Sequence, residues 1–105
     1  MKAEPILIER RRYDAESFAE IAIWHLPEPL PGGTHSFKYR LAFVTNGRCV
    51  LRYDNERGKG DHLHRDGEEA PYRFRGLPLL LADFGRELQR WRQTHGHLDD
   101  RSGHP

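Results

Sequence analysis

The side chains best suited to chemistry are concentrated between positions 51 and 64. This stretch begins Leu-Arg-Tyr-Asp-Asn and ends Asp-His-Leu-His, so His62 and His64 are two residues apart. An imidazole titrates near neutral pH and can take a proton from a ribose 2′-hydroxyl group or give one to a leaving oxygen. One hypothesis is therefore RNA cleavage without a metal or other cofactor, with His62 and His64 as acid and base.

Basic and aromatic residues near the two histidines would complete a ribonuclease site. Lys38, Arg40 and Lys59 would hold the scissile phosphate and stabilise the negative charge that builds up in the transition state. Arg52 and Tyr53 are assigned to RNA binding, since a tyrosine ring can stack on a base or bond a phosphate oxygen. In this hypothesis Lys38 and Arg40 count with the histidines as catalytic residues.

The same segment also permits a metal site. Asp61, His62 and His64 are the alternative ligands, with Asp54 nearby, because both rings of a His-x-His pair on an extended segment point to one side. Zinc, manganese or nickel would suit such mixed nitrogen and oxygen ligands. The sequence Gly58-Lys59-Gly60 is a weaker candidate for a phosphate-binding loop, because it lacks the rest of that motif.

A third hypothesis is a non-enzymatic binding module that acts through a DNA-binding partner. In that case Asp54 and Asn55 would be structural, bracing the following loop through side-chain to backbone hydrogen bonds. Alanine at His62 and His64 would then leave partner binding unchanged.

The strands that position these residues are indicated by Asn46-Gly47, which lies between apolar runs at 37–45 and 48–54 and is typical of a type I′ hairpin. The pairs that a regular two-residue turn predicts are Phe43 with Val50, Leu41 with Arg52, Arg40 with Tyr53, and Lys38 with Asn55. Tyr53 and Asn55 would then share a polar face with Lys38 and Arg40.

The remaining pattern predicts an α+β fold. Strands are expected at 3–12 and 17–26, a proline-rich loop at 27–33, and a long polar loop at 55–70. Apolar residues from 77 to 92 follow the helical period. We therefore expect a small antiparallel sheet of about four to five strands packed against one C-terminal α-helix, forming one domain over 1–93, and a disordered tail over 94–105.

Composition limits the cellular setting. The 105-residue chain has one cysteine and a net charge of +1, so it predicts neither a disulfide framework nor global attraction to nucleic acid. It shows neither a membrane-length apolar run nor a signal-peptide pattern at its start. We therefore expect a cytoplasmic protein. Exposed strand edges would allow it to form a homodimer or to accept a strand from a partner.

Taken together, several segments resemble the TumE family, small proteins of bacterial type II toxin–antitoxin loci. The segments that carry the resemblance, which covers about residues 1 to 92, are Phe37-Lys38-Tyr39-Arg40 before the Asn-Gly turn, Leu51-Arg52-Tyr53-Asp54-Asn55, Lys59-Gly60-Asp61-His62-Leu63-His64 and Pro71-Tyr72-Arg73-Phe74. The resemblance implies a growth-inhibiting toxin that is held inactive by an antitoxin with a helix-turn-helix DNA-binding domain. It also suggests ribonuclease activity with RNA as the substrate.

Overall fold

The computed structural model describes residues 2–96. Within that range the elements, in chain order, are β1 Glu4–Asp14, β2 Ser17–His25, β3 Phe37–Thr45, β4 Arg48–Glu56, β5 Gly60–Arg65, β6 Glu68–Pro71, and α1 Leu77–Trp91, followed by a π-helical segment Arg92–Gly96. Positions 97–105, most of the tail predicted to be disordered, lie outside the described residues. The domain boundary at 93 stays a prediction.

All six described strands form one antiparallel sheet in the order β1-β2-β3-β4-β5-β6. An α+β fold with an antiparallel sheet and one helix is confirmed, but the expected number of four to five strands is wrong. The extra strands come from the segment 55–70, which forms β5 and β6 instead of a loop. Asp66 and Gly67 both have positive φ, 48° and 88°, as a type I′ turn requires.

One face of the sheet is buried, as the alternating burial of the residues along β2 shows. Ser17, Ala19, Ile21 and Ile23 are buried, whereas the residues between them are partly exposed. Their partners on β3 continue the same face, with Ile21 opposite Leu41 and Ile23 opposite Tyr39. The two-residue period of a strand therefore separates a buried face from a more polar one.

A bulge between β3 and β4 changes the predicted register. The Asn46-Gly47 turn forms with φ of 51° and 75°, and Thr45 pairs with Arg48 as expected. Phe43, however, pairs with Leu51 and not with Val50, because a register shift follows Val44. Val50 is the additional residue on its strand, as in a β-bulge.

The pairs predicted for Leu41 and Arg40, which lie beyond the bulge, are therefore also wrong by one residue. Leu41 lies opposite Tyr53 and Arg40 opposite Asp54. Since a shift of one residue exchanges the two faces of a strand, Arg52 and Asp54 lie on the polar face. Tyr53 and Asn55 lie on the buried one, with 2% and 4% of their surface exposed.

The helix α1 matches the predicted period and begins at Leu77 with Pro78 in its first turn. Leu80, Phe84 and Leu88, spaced four residues apart, are buried. The sheet belongs to a compact unit that ends at Arg73, and α1 to a second unit that begins at Phe74. Packing of the helix on the sheet stays a prediction. Among the residues described, no helix has the length and apolar character needed to cross a membrane.

Candidate active site

Four polar residues meet on the polar face where β4 and β5 pair. They alternate along the two strands, and the register places Arg52 opposite His64 and Asp54 opposite His62. We call Arg52, Asp54, His62 and His64 the β4–β5 cluster. Because residues two apart on a strand share a face, β5 turns both imidazoles to the same side, as the His-x-His spacing predicts.

Asp54 and His62 form the buried part of this cluster. Their side chains are 8% and 5% exposed, and Nε2 of His62 lies 2.8 Å from Oδ1 of Asp54. Nδ1 of the same ring lies 3.2 Å from the carbonyl oxygen of Gly60 and is positioned to donate a hydrogen bond to it. This backbone contact holds the ring with its Nε2 atom toward the carboxylate.

Arg52 and His64 form the more accessible part. The guanidinium donates from Nε to Oδ2 of Asp54 at 3.1 Å and from Nη2 to Nε2 of His64 at 2.8 Å. Since an arginine has only donors, Nε2 of His64 accepts in this contact, which assigns the tautomer with the proton on Nδ1. The two imidazole rings lie 5.2 Å apart between centroids.

Glu69 on β6 adds a carboxylate that the sequence hypotheses missed. Its Oε2 atom lies 3.5 Å from Nε2 of His62, 3.9 Å from Nε2 of His64 and 2.9 Å from Nζ of Lys59. The hydrogen bond with Lys59 lowers the pKa of Glu69 and raises that of Lys59. Recognising Asp66-Gly67 as a hairpin turn would have paired Glu69 with His64.

The other predicted cations lie on β3 and in the turn before β5, and their contacts are with residues outside the cluster. Arg40 is on the polar face of β3, largely exposed, with Nη1 at 3.9 Å from a carboxylate oxygen of Glu20. Lys38 donates from Nζ to the carbonyl oxygen of Asn55 at 2.7 Å. Lys59 lies in the turn before β5 and contacts Glu69.

Tyr53 and Asn55 do not join the cluster, because the bulge turns them to the buried face. The Tyr53 ring packs edge-on against Tyr72, with centroids 4.9 Å apart, and its burial leaves no room for stacking on a base. Asn55 accepts a hydrogen bond from the backbone N–H of Tyr39 at 3.0 Å and donates to the carbonyl of Phe37 at 2.7 Å. It thus braces the far end of β3.

Asp61 also lies on the opposite face from the two histidines, so it cannot share a metal ion with them. Its Oδ2 atom accepts a hydrogen bond from the Tyr39 hydroxyl at 2.6 Å and contacts Nε2 of His35 at 2.8 Å. The Tyr39 pKa is raised well above its ordinary value, mainly by burial and then by this hydrogen bond. In the predicted ligand set, the structure replaces Asp61 with Asp54.

The arrangement combines imidazoles, which can transfer protons, with a guanidinium, which can bind an anion. Residues 3–92 of the chain that carries this cluster match the profile of one protein family, which is described as Toxin TumE. The match defines the class of the protein as a toxin. It spans most of the chain, which therefore belongs to the TumE toxin family. No curated protein and no solved structure matches the chain.

Proposed function

We propose that this toxin inhibits growth by cleaving RNA and that an antitoxin with a helix-turn-helix DNA-binding domain holds it inactive in a type II toxin–antitoxin system. Membership of a toxin family implies an antitoxin partner. The observation that supports RNA cleavage is the β4–β5 cluster, in which two imidazoles and a guanidinium meet on one face of the sheet. That combination serves phosphodiester chemistry through proton transfer and charge stabilisation.

In the proposed reaction His62 and His64 act as the acid and base. One imidazole takes the proton of the 2′-hydroxyl group, whose oxygen attacks the adjacent phosphorus. The bond from phosphorus to the 5′-oxygen breaks, and the other imidazole supplies that oxygen with its proton. The products are a 2′,3′-cyclic phosphate and a 5′-hydroxyl end. His64 is the more exposed of the two rings and is the first to meet the substrate.

The phosphate would be held by arginine. Arg52 lies directly against His64, and Arg40 is on the same face of the neighbouring strand. The planar guanidinium can donate two parallel hydrogen bonds to phosphate oxygens and keeps its charge at any physiological pH. Lys38 and Lys59 are engaged with Asn55 and Glu69, so we place them at the margin of the RNA-binding surface.

The alternative is a non-catalytic binding module, for which an exposed strand edge would supply the contact surface. The edge strand β1 exposes Ile6 and Ile8, which are 47% and 57% accessible. An exposed strand edge with apolar side chains is suited to pairing with another chain, whether an antitoxin or a second copy. This surface is compatible with either function.

The test compares induced expression of the wild-type chain with a His62→Ala/His64→Ala double variant, with total RNA inspected in each culture. A matched control is His25→Ala, which changes an exposed histidine at the end of β2. Circular dichroism establishes that each variant is folded. We expect growth arrest and RNA breakdown with the wild type and the control, and neither with the double variant.

Cleavage assays with purified protein then distinguish metal-free from metal-dependent catalysis. Cleavage of RNA in the presence of EDTA, lost in the double variant, supports metal-free catalysis. If growth arrest persists in the folded double variant, the chemistry does not reside in the β4–β5 cluster. Arrest without RNA breakdown in any sample would favour the binding-module alternative.

A further inference from the structure

We infer that Asp54, His62 and His64 form a binding site for a divalent transition-metal ion, with Zn²⁺ the best match, and that the bound ion inhibits RNA cleavage. The binding stands on geometry alone, whereas the inhibition rests on the function proposed above. One oxygen and two nitrogen atoms of these residues lie within 4.8 Å of one another. Modest side-chain rotation would bring them to the separation of about 3.4 Å found between ligands of a tetrahedral zinc ion.

The first observation that points to a cation is the orientation of the two rings. Nδ1 of His62 is directed at the carbonyl oxygen of Gly60, which leaves the lone pair of a neutral ring on Nε2. Nε2 of His64 accepts from Arg52 and therefore also carries its lone pair. A backbone carbonyl on the second ring nitrogen, as at His62, is the usual support for a metal-binding histidine.

The second, independent observation is the buried oxygen of Asp54. Oδ1 has no hydrogen-bond donor among residues 2–96, although Nε2 of His62 is only 2.8 Å away. The N–H direction of that ring does not meet the oxygen, so a proton on Nε2 would not satisfy it. An ion that bound both atoms in tetrahedral geometry would widen this separation from 2.8 Å to about 3.4 Å and give Oδ1 the cationic partner that it lacks among residues 2–96.

The donor set selects among cations. Two imidazoles and one carboxylate suit zinc and similar transition metals, whereas Mg²⁺ and Ca²⁺ prefer oxygen ligands. Arg52 places a positive charge beside the site. Its Nη2 donates a hydrogen bond to Nε2 of His64, the atom that the metal would bind. Metal binding therefore requires Arg52 to leave His64, and the two cations compete for the same nitrogen.

Inhibition follows from that competition. A lone pair bonded to a metal cannot take a proton, so the metal-bound form would lack both the acid and the base of the proposed reaction. The displaced guanidinium would also lose its position beside the phosphate. The ion would act as a reversible inhibitor that EDTA removes.

Binding is tested first, by competition for Zn²⁺ against a chromophoric chelator with purified full-length chain. The variants are Asp54→Asn, His62→Ala and His64→Ala, each confirmed as folded by circular dichroism. A matched control replaces His95, His97 and His104 with alanine, because histidines near the C-terminus can also capture zinc. We expect one ion per chain, an affinity at least about tenfold weaker in each cluster variant, and no change in the control. Retained affinity in the cluster variants, or loss in the control, would overturn the site.

The inhibition is tested separately on RNA. The wild-type chain should cleave in EDTA, stop when Zn²⁺ is added in excess and recover when EDTA is restored, in parallel with chelator-measured occupancy. Cleavage that requires Zn²⁺ would overturn the inhibitory role. Absence of cleavage under every condition, with zinc binding intact, would refute the proposed function while leaving the metal site standing.

Discussion

Asp54 and His62 are register partners on adjacent strands, and their Oδ1 and Nε2 atoms lie 2.8 Å apart with both side chains buried. Asp61, although next to His62 in the sequence, points to the other face and binds the Tyr39 hydroxyl. The two aspartates therefore have different surroundings. Asp54 belongs to the candidate site, whereas Asp61 belongs to the buried face of the sheet.

The first prediction compares these two carboxylates. Asp54→Asn should lower RNA cleavage at least about tenfold in a chain that still folds, because it removes the charge that faces His62 and binds Arg52. Asp61→Asn should instead cost about 1.5 to 3 kcal/mol of stability, the range for hydrogen bonds to a charged group, with cleavage per folded molecule retained. Urea denaturation and a single-turnover cleavage assay measure the two effects. The reverse pattern would place the site on the opposite face.

The second prediction concerns pH and Tyr39. The ordinary pKa of a tyrosine is 10.0, and burial together with the hydrogen bond to Asp61 raises that of Tyr39. Because the folded state favours the neutral phenol, the stability from this residue is fully present below about pH 10 and is lost as the pH rises above it. We expect the free energy of unfolding to fall above that pH, and to fall less steeply in Tyr39→Phe. Equal slopes in denaturation series of the two proteins would contradict this account.

The third prediction compares two glycines with different backbone conformations. Gly67 has φ of 88° in the β5–β6 turn, whereas Gly85 lies inside α1 with open space where a Cβ would be. Gly67→Ala should destabilise the protein by about 1 kcal/mol or more, since an alanine side chain is strained at positive φ. Gly85→Ala should stabilise it by about 0.5 to 1 kcal/mol through helix propensity. Thermal unfolding of both variants checks the signs, and a stabilising Gly67→Ala would rule out the turn described here.

The fourth prediction concerns the competition between Arg52 and zinc. Arg52→Gln should raise the affinity for Zn²⁺, because it removes the cation that occupies Nε2 of His64. Arg40→Gln is the matched control: it removes an equal charge from the same face, but its guanidinium contacts Glu20 and not the cluster. The chelator competition assay should show a clearly larger gain for Arg52→Gln. Equal gains would mean that only the general electrostatic field changed.

Elements with strong local signals were predicted correctly from neighbouring residues. Asn46-Gly47 specified a hairpin turn because both residues tolerate positive φ, and the leucines from 77 onward specified a helix because their spacing gives it an apolar face. The His-x-His spacing determined that His62 and His64 share a side of their strand. These features depend only on neighbours along the chain.

The residues of β4 that surround the two histidines depend on strand pairing across the sheet. The pairing of β4 with β5 placed Arg52 and Asp54 beside them. The bulge at Val50 turned this group to the polar face and buried Tyr53 and Asn55, since one additional residue exchanges the faces of a strand. Strands β5 and β6 carry mostly polar residues and lack the alternation that indicates a strand, so Glu69 had no visible relation to His62. The only local signal for their pairing is the Asp66-Gly67 turn, whose flanking residues lack the apolar character that marks Asn46-Gly47 as a hairpin.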